Sequence, residues 1–282
     1  MILDAHQHIW SLSRGDYGWL TPDAGALYRD FTPVDFAAAA TFVDASILVQ
    51  AAPTVVETRF LLDEALGSSR IAGVVGWVDL AARDASDQLA ALAAHPKFLG
   101  VRPMLQDLAD PDWIDAVTLD PAIRALTALG LTFDALVRAE HLPALTRMAA
   151  RHPGLRIIID HAAKPAIGAM PIDDWVGAMA PLAAMPQVCC KLSGLITEAG
   201  PGWRPETVQL WIQAIIALFG TDRVLWGSDW PVLTGLADIP TWFDLVREVV
   251  APLGEVALAD VFGRTALRVY GIRQEASEWV RD

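Results

Sequence analysis

Two histidines one residue apart, His6 and His8 in DAHQHIW, are the first residues in the chain able to do chemistry. They close an apolar run that reads as a strand, where residues i and i+2 point to the same side. Two imidazoles on one face can grip a metal ion, orient a substrate, or lie buried and hydrogen-bonded. Spacing alone leaves those readings open. Polar residues recur at the ends of later apolar runs: Gln50, Trp77 with Asp79, Arg102, Asp134 with Arg138, Asp160 with His161 and Lys164, Lys191 with Ser193, and Asp229.

The elements that must carry these residues alternate. Short apolar runs (MILDAH, ASILVQ, IAGVVGWV, FLGVRPM, LTFDAL, LRIIIDH, QVCCKLSG and RVLWGSD) are separated by alanine- and leucine-rich stretches of helical period. In DPAIRALTALG, Asp120 reads as the N-cap, Pro121 as the first helical residue and Gly130 as the stop. Eight apolar strands, each followed by a helix, predict parallel strands covered on both sides. The length of 282 residues matches one (β/α)₈ TIM barrel, a single domain over 1–282, with a doubly wound open sheet as the alternative. Barrel active sites lie at the C-terminal ends of the strands, where the polar residues collect as the floor of a pocket.

Composition narrows the partners. A net charge of −13 argues against nucleic acid and anionic membranes. The apolar runs are too short and proline-broken to span a bilayer, and the opening residues do not read as a signal peptide. Cys189 and Cys190 are the only two cysteines. Adjacent strand residues face opposite ways, so they do not pair, and a reducing, cytoplasmic compartment is expected. The partner is then a small molecule, with a homo-oligomer left open.

Three segments in order, DAHQHIW, IIIDHAAKP and VLWGSDWPV, resemble the amidohydrolase superfamily, more narrowly its sugar-lactonase branch. The likeness runs from Met1 to the closing VFGRTALRVYG. It implies a (β/α)₈ barrel that hydrolyses a cyclic ester, a sugar lactone, to an aldonic acid. The motif residues carried over are His6, His8, His161 and Asp229. Dinuclear relatives use a bridging lysine or glutamate on the fourth strand and a histidine on the fifth. Here those strands offer Arg102 in VRPM, and Asp134 and Arg138 in FDALVR. A dinuclear centre is therefore not expected. The cofactor is either none or one divalent ion, Zn²⁺, on His6, His8 and Asp229.

Lactone opening needs a base for water, a polarised carbonyl and a stabilised oxyanion. Asp229 is the expected base, its pKa lifted by Trp226 and Trp230 in WGSDW. His161 and Arg102 are expected to polarise the carbonyl while His6 and His8 order the water. Arg102, Lys164 and Lys191 suit a product carboxylate. WGSDW lacks the GxSxG elbow of a serine nucleophile. For substrate contacts the candidates are Gln50, Lys164, and the tryptophans Trp10, Trp77 and Trp203, which can stack on a sugar ring. The loop SLSRGDYGWLTPDAG reads as a lid carrying Arg14, Tyr17 and Trp19. His95 and His152 read as surface or capping residues, and His141 as a rim residue. Three alternatives stand beside the sugar lactonase. One is a metal-dependent decarboxylase of an aromatic or dienoic acid, another a hydrolase of a muconolactone- or pyrone-type ring. The third is a barrel that binds a sugar acid without turnover.

Overall fold

In the computed structural model, residues 1–273 are described. Eight strands run in the order β1 to β8, all pairings parallel: β1 Leu3–Gln7, β2 Ala45–Val49, β3 Ile71–Gly76, β4 Phe98–Val101, β5 Thr132–Ala135, β6 Arg156–Ile159, β7 Val188–Leu192 and β8 Val224–Trp226. The helices that cover them are α1 Pro33–Ala39, α2 Val55–Leu66, α3 Ala85–Ala93, α4 Asp120–Ala128, α5 Leu142–Arg151, α6 Ile172–Ala183, α7 Leu195–Ala199, α8 Pro205–Phe219, α9 Ile239–Val250, α10 Glu255–Ala259 and α11 Thr265–Tyr270. This is the expected TIM barrel. Among the described residues, no helix is long and apolar enough to cross a membrane.

Several helix starts follow from local chemistry. Thr32 caps α1 in a reciprocal box with Asp35, Thr54 accepts from Glu57 N–H ahead of α2, and Asp238 accepts from Thr241 N–H ahead of α9. The α4 expectation needs correction: Asp120 is the first helical residue, because a 3₁₀ turn, Val117–Leu119, runs directly into the helix. Its carboxylate accepts instead from His152 Nε2 at 2.9 Å; His152 is the expected capping residue, at the C-cap of α5, and is buried. Gly130 does stop the helix region, at φ +69°.

β1 and β8 close the barrel just beyond β8. Asp229 N–H donates to His6 O at 2.8 Å, and His8 N–H donates to Trp230 O at 2.7 Å. The β1–β2 register slips between Asp4 and Gln7. Leu3 and Ala5 belong to the inner barrel cluster, so strict alternation would turn Gln7 inward. The slip instead sends Gln7 outward, onto Ser46 Oγ at 3.2 Å, while His6 and His8 face in. Cys189 and Cys190 fall in different clusters, on opposite faces of β7, and both are unpaired.

The inner barrel is not wholly apolar. Lys191, fully buried on β7, was expected at the pocket; it lies in mid-barrel instead, its ammonium 2.7 Å from Asp134 Oδ2 and 2.9 Å from Asp160 Oδ1. Its side chain is thus committed beneath the site. Tyr270, from the α11 plug, donates to Asp134 Oδ2 at 2.6 Å, and Thr132 Oγ1 donates to Oδ1 at 3.1 Å. Burial opposes the Lys191 charge, but Asp134 and Asp160 outweigh it and raise its pKa. Burial also opposes ionisation of Asp160, yet Lys191 and His6 hold it well below the usual carboxylate range.

Removing one member of a buried charge cluster strands the others, at a cost of about 3–5 kcal/mol. Lys191→Met is expected to lose stability on that scale in chemical denaturation. A loss under about 1 kcal/mol would refute the view that this ion cluster holds the barrel interior.

Candidate active site

The site is built on loops that leave the strand ends in constrained backbone. His161, Ala162, Ala163 and Lys164 follow β6 with φ of 52°, 50°, 61° and 49°, a left-handed turn made without glycine. Each such residue costs about 1–2 kcal/mol relative to the right-handed form. Trp175 Nε1 donates to Ala162 O at 2.8 Å, and Lys164 N–H donates to His161 O at 2.8 Å, which hold the turn. Asp229 after β8 is also left-handed, at φ 57°. Strain of this kind is kept where surrounding contacts over-determine it, as at ligand sites.

Three imidazoles and a carboxylate meet at the barrel mouth. His6 Nε2 and His8 Nε2 are 3.2 Å apart, and Asp229 Oδ1 lies 3.4 Å from His8 Nε2 and 3.7 Å from His6 Nε2. One ligand atom each from His6, His161 and Asp229 falls within 4.8 Å of the others. The other ring nitrogens are engaged below. His8 Nδ1 bonds Val49 O at 2.7 Å, His161 Nδ1 bonds Ser193 Oγ at 2.8 Å, and His6 Nδ1 lies 3.2 Å from Lys191 Nζ and 3.5 Å from Asp160. Each ring is thus fixed in orientation through its Nδ1.

Burial lowers the pKa of all three histidines, that of His161 to about 4. The expectation for Asp229 is reversed. Burial alone would raise its pKa, but His161, His8 and His6 outweigh that and hold it below the ordinary carboxylate range. Trp226 and Trp230 do not set it. Trp226 packs on Phe243 and Phe262, and Trp230 on Phe31 and Phe36.

Arg102 reaches the same centre from beyond β4, with Nη1 3.3 Å from His6 Nε2 and 3.7 Å from Asp160. Its Nη2 donates to Gln50 O, and Gln50 Nε2 donates back to Arg102 O at 2.7 Å. Gln50 is fully buried and is a brace for Arg102 and not a substrate contact.

A cavity of ≈ 220 Å³ opens over this centre, lined by His8, Trp19, Ala51, Arg102, Met104, Gln106, Asp107, Leu136, His161, Lys164, Asp229 and Val232. Lys164, at 3.5 Å from Glu198, and Trp19 from the expected lid therefore face it. Trp19 is held by its indole N–H on Ala51 O at 2.8 Å, and Ala51 and Ala52 N–H are in turn gripped by the buried Glu57 carboxylate. Other expected contacts lie elsewhere. Trp10 is 1% exposed, its ring edge-on to Trp19 and Phe31, so it buttresses the 11–25 loop from behind. Arg14 pairs with Asp16 at 2.6 Å and stacks over Phe60. Tyr17 is buried, and Trp203 donates to Leu236 O at 3.3 Å; neither lines the cavity. Trp77 lines a neighbouring cavity. His141 accepts from Arg138 N–H and His95 from Lys97 N–H, both as local caps.

Three roles escaped the sequence reading. Gln106 lines the cavity and carries a buried Oε1 with no hydrogen-bond partner. Its signal was its place in the loop after the fourth strand. Ser193 orients His161. Gly194, at φ +66°, lets the backbone pass His161 where a Cβ would lie 2.7 Å from Nδ1. Gly194→Ala is therefore expected to displace the imidazole: turnover should fall at least tenfold with circular dichroism unchanged. Wild-type turnover would show that His161 tolerates the shift.

The comparisons with known proteins agree with this architecture. A family model described as amidohydrolase matches residues 3–272. The chain is 48% identical over 282 residues to an L-fucono-1,5-lactonase of Burkholderia ambifaria, covering 98% of this chain and 97% of that one. It is 36% identical to an L-fucono-1,5-lactonase of Burkholderia multivorans, covering 97% of each. A crystal structure of a Burkholderia multivorans amidohydrolase with bound zinc superposes with a TM-score of 0.90 at 34% identity, over 97% of this chain and 100% of that one. This chain belongs to the amidohydrolase family.

Proposed function

We propose that the protein is a sugar lactonase that opens an L-fucono-1,5-lactone-like ring to the aldonic acid. The observation that carries this reading is the 48% identity, end to end, to an L-fucono-1,5-lactonase, in a chain whose motif residues His8, His161 and Asp229 line one small cavity with His6 buried beside them. A cavity of ≈ 220 Å³ suits a single ring. The decarboxylases that share the fold do so at 16% and 14% identity and support the barrel alone.

In this reading Asp229 takes the proton from the attacking water. Its low pKa makes it a weak base, which a lactone, an already reactive ester, tolerates. His161 and Arg102 face the carbonyl and stabilise the charge that develops on its oxygen. Lys164 receives the new carboxylate, and Gln106 accepts from a ring hydroxyl. The ring C–O bond breaks, and the leaving oxygen takes up a proton.

The donor set also fits one divalent ion. Two imidazole Nε2 atoms at 3.2 Å require a proton or a cation between them, and the Nδ1 bonds of His8 and His161 leave Nε2 for that purpose. His6, His8, His161 and Asp229 are nitrogen and carboxylate donors of the kind that hold Zn²⁺. Such an ion would supply Lewis-acid charge at the reacting centre.

Acid release from a panel of aldonolactones, followed by pH-stat before and after exhaustive chelation, tests the reading. Turnover of L-fucono-1,5-lactone is expected, and no turnover of any lactone would overturn it. Loss on chelation with recovery on Zn²⁺ would establish the ion as required; undiminished turnover would assign catalysis to the side chains. Asp229→Asn is expected to abolish turnover in a folded protein, and a near-normal kcat would remove Asp229 as base. Arg102→Met is expected to lower kcat by about 10²-fold if the guanidinium stabilises the oxyanion. A change confined to KM would make it a binding residue.

A further inference from the structure

A second cavity, of ≈ 680 Å³, adjoins the reaction pocket. The two share Trp19, Met104 and Asp107 in their walls, so a ligand seated in one borders directly on the other. The larger one is walled by three tryptophans, Trp19, Trp77 and Trp113, which come from the lid loop, the end of β3 and the segment after β4. Asp16, Asp79 and Asp107 supply carboxylates. Among the described residues its lining has no lysine, arginine or histidine.

A single lactone ring in the ≈ 220 Å³ pocket leaves this annex unfilled. Its volume lies in the range of ligand sites, roughly 300–1,000 Å³, where the reaction pocket lies below it. The lining selects the chemistry of an occupant. Asp16 is paired with Arg14, but Asp79 and Asp107 face a lining with no basic side chain and repel an anion such as a phosphate or a second carboxylate. Flat indoles with acceptors between them match a pyranose, whose C–H faces are apolar and whose hydroxyls are donors. A pyranose seated there and joined covalently to the lactone would span the two neighbouring cavities.

We infer that the annex is a subsite for a glycosyl substituent, so that the enzyme accepts aldono-1,5-lactones bearing a second sugar. This rests on the lactonase reading and specifies its substrate class. The chemistry is unchanged: water adds its hydroxyl to the acyl carbon, the ring oxygen leaves with a proton, and the glycosidic bond stays intact.

The test compares kcat/KM for L-fucono-1,5-lactone with that for its 2-, 3- and 4-O-glucosyl derivatives. At least one derivative is expected to match or exceed the parent. In Trp113→Ala, whose residue lies outside the reaction pocket, that derivative should lose at least tenfold in kcat/KM while the parent stays within twofold. The inference is overturned if all three derivatives fall tenfold below the parent, or if Trp113→Ala affects parent and derivative alike. It is also overturned if an N-linked aminoalkyl lactone, which carries a cation into the same carboxylates, outperforms every glucosyl derivative. Failure of the parent lactone as well would overturn the lactonase reading itself, so the two failures are distinct.

Discussion

The Lys191 ammonium, sealed between Asp134 and Asp160 in the middle of the barrel, is the interaction on which the rest depends. Without the carboxylates burial would drive the ammonium neutral, and without the ammonium it would favour the protonated carboxyls, Asp134 first, whose pKa burial already raises. The cluster draws in parts far apart in the chain. Tyr270 comes from the helix that plugs the barrel bottom, Thr132 from β5, and His6 from the reaction centre above. The plug, the wall and the site floor therefore share one polar framework. His6 is the point where that framework reaches the chemistry, since its Nδ1 faces Lys191 and Asp160 while its Nε2 faces Asp229 and Arg102.

From that floor the site is made precise by backbone that is locally unfavourable. Four consecutive left-handed residues without glycine, followed later by a left-handed Asp229, represent several kcal/mol held against the chain's own preference. The small side chains of Ala162 and Ala163, both fully buried, let the turn fit under Trp175. The same backbone that closes β1 onto β8 also carries His6, His8 and Asp229, so closing the barrel and aligning the donors are a single event.

The fold was legible because its signals are periodic. Eight apolar runs separated by helical stretches leave little choice beyond a barrel or an open sheet, and the motif residues occur at run ends. Placement at run ends put His6, His8, His161, Arg102 and Asp229 among the polar candidates, and the resemblance of three segments to the amidohydrolases singled out His6, His8, His161 and Asp229. What could not be read depends on register and on three-dimensional neighbours. The β1 slip is invisible in LDAHQ, and Lys191 ends an apolar run as a pocket residue would, although its partners lie on β5 and after β6. Trp10 lies two residues beyond the paired histidines, yet the bulk of Trp19 and Phe31 decides that it packs. The Asp229 expectation failed for the same reason: adjacent tryptophans in sequence point away, while three histidines from elsewhere surround the carboxylate.

Arg102 shapes how far the imidazoles can act alone. A guanidinium 3.3 Å from His6 Nε2 lowers the local affinity for any cation at the histidines. On the proposed mechanism the same charge would face the anion that forms when a lactone carbonyl is attacked. A divalent ion held at the imidazoles would serve the same task, and Arg102 would weaken the site's hold on it. Gln50, which braces Arg102 through both its backbone and its side chain, makes the guanidinium rigid. A rigid charge needs no reorganisation when the oxyanion appears, which is the condition under which electrostatic stabilisation of a transition state is largest.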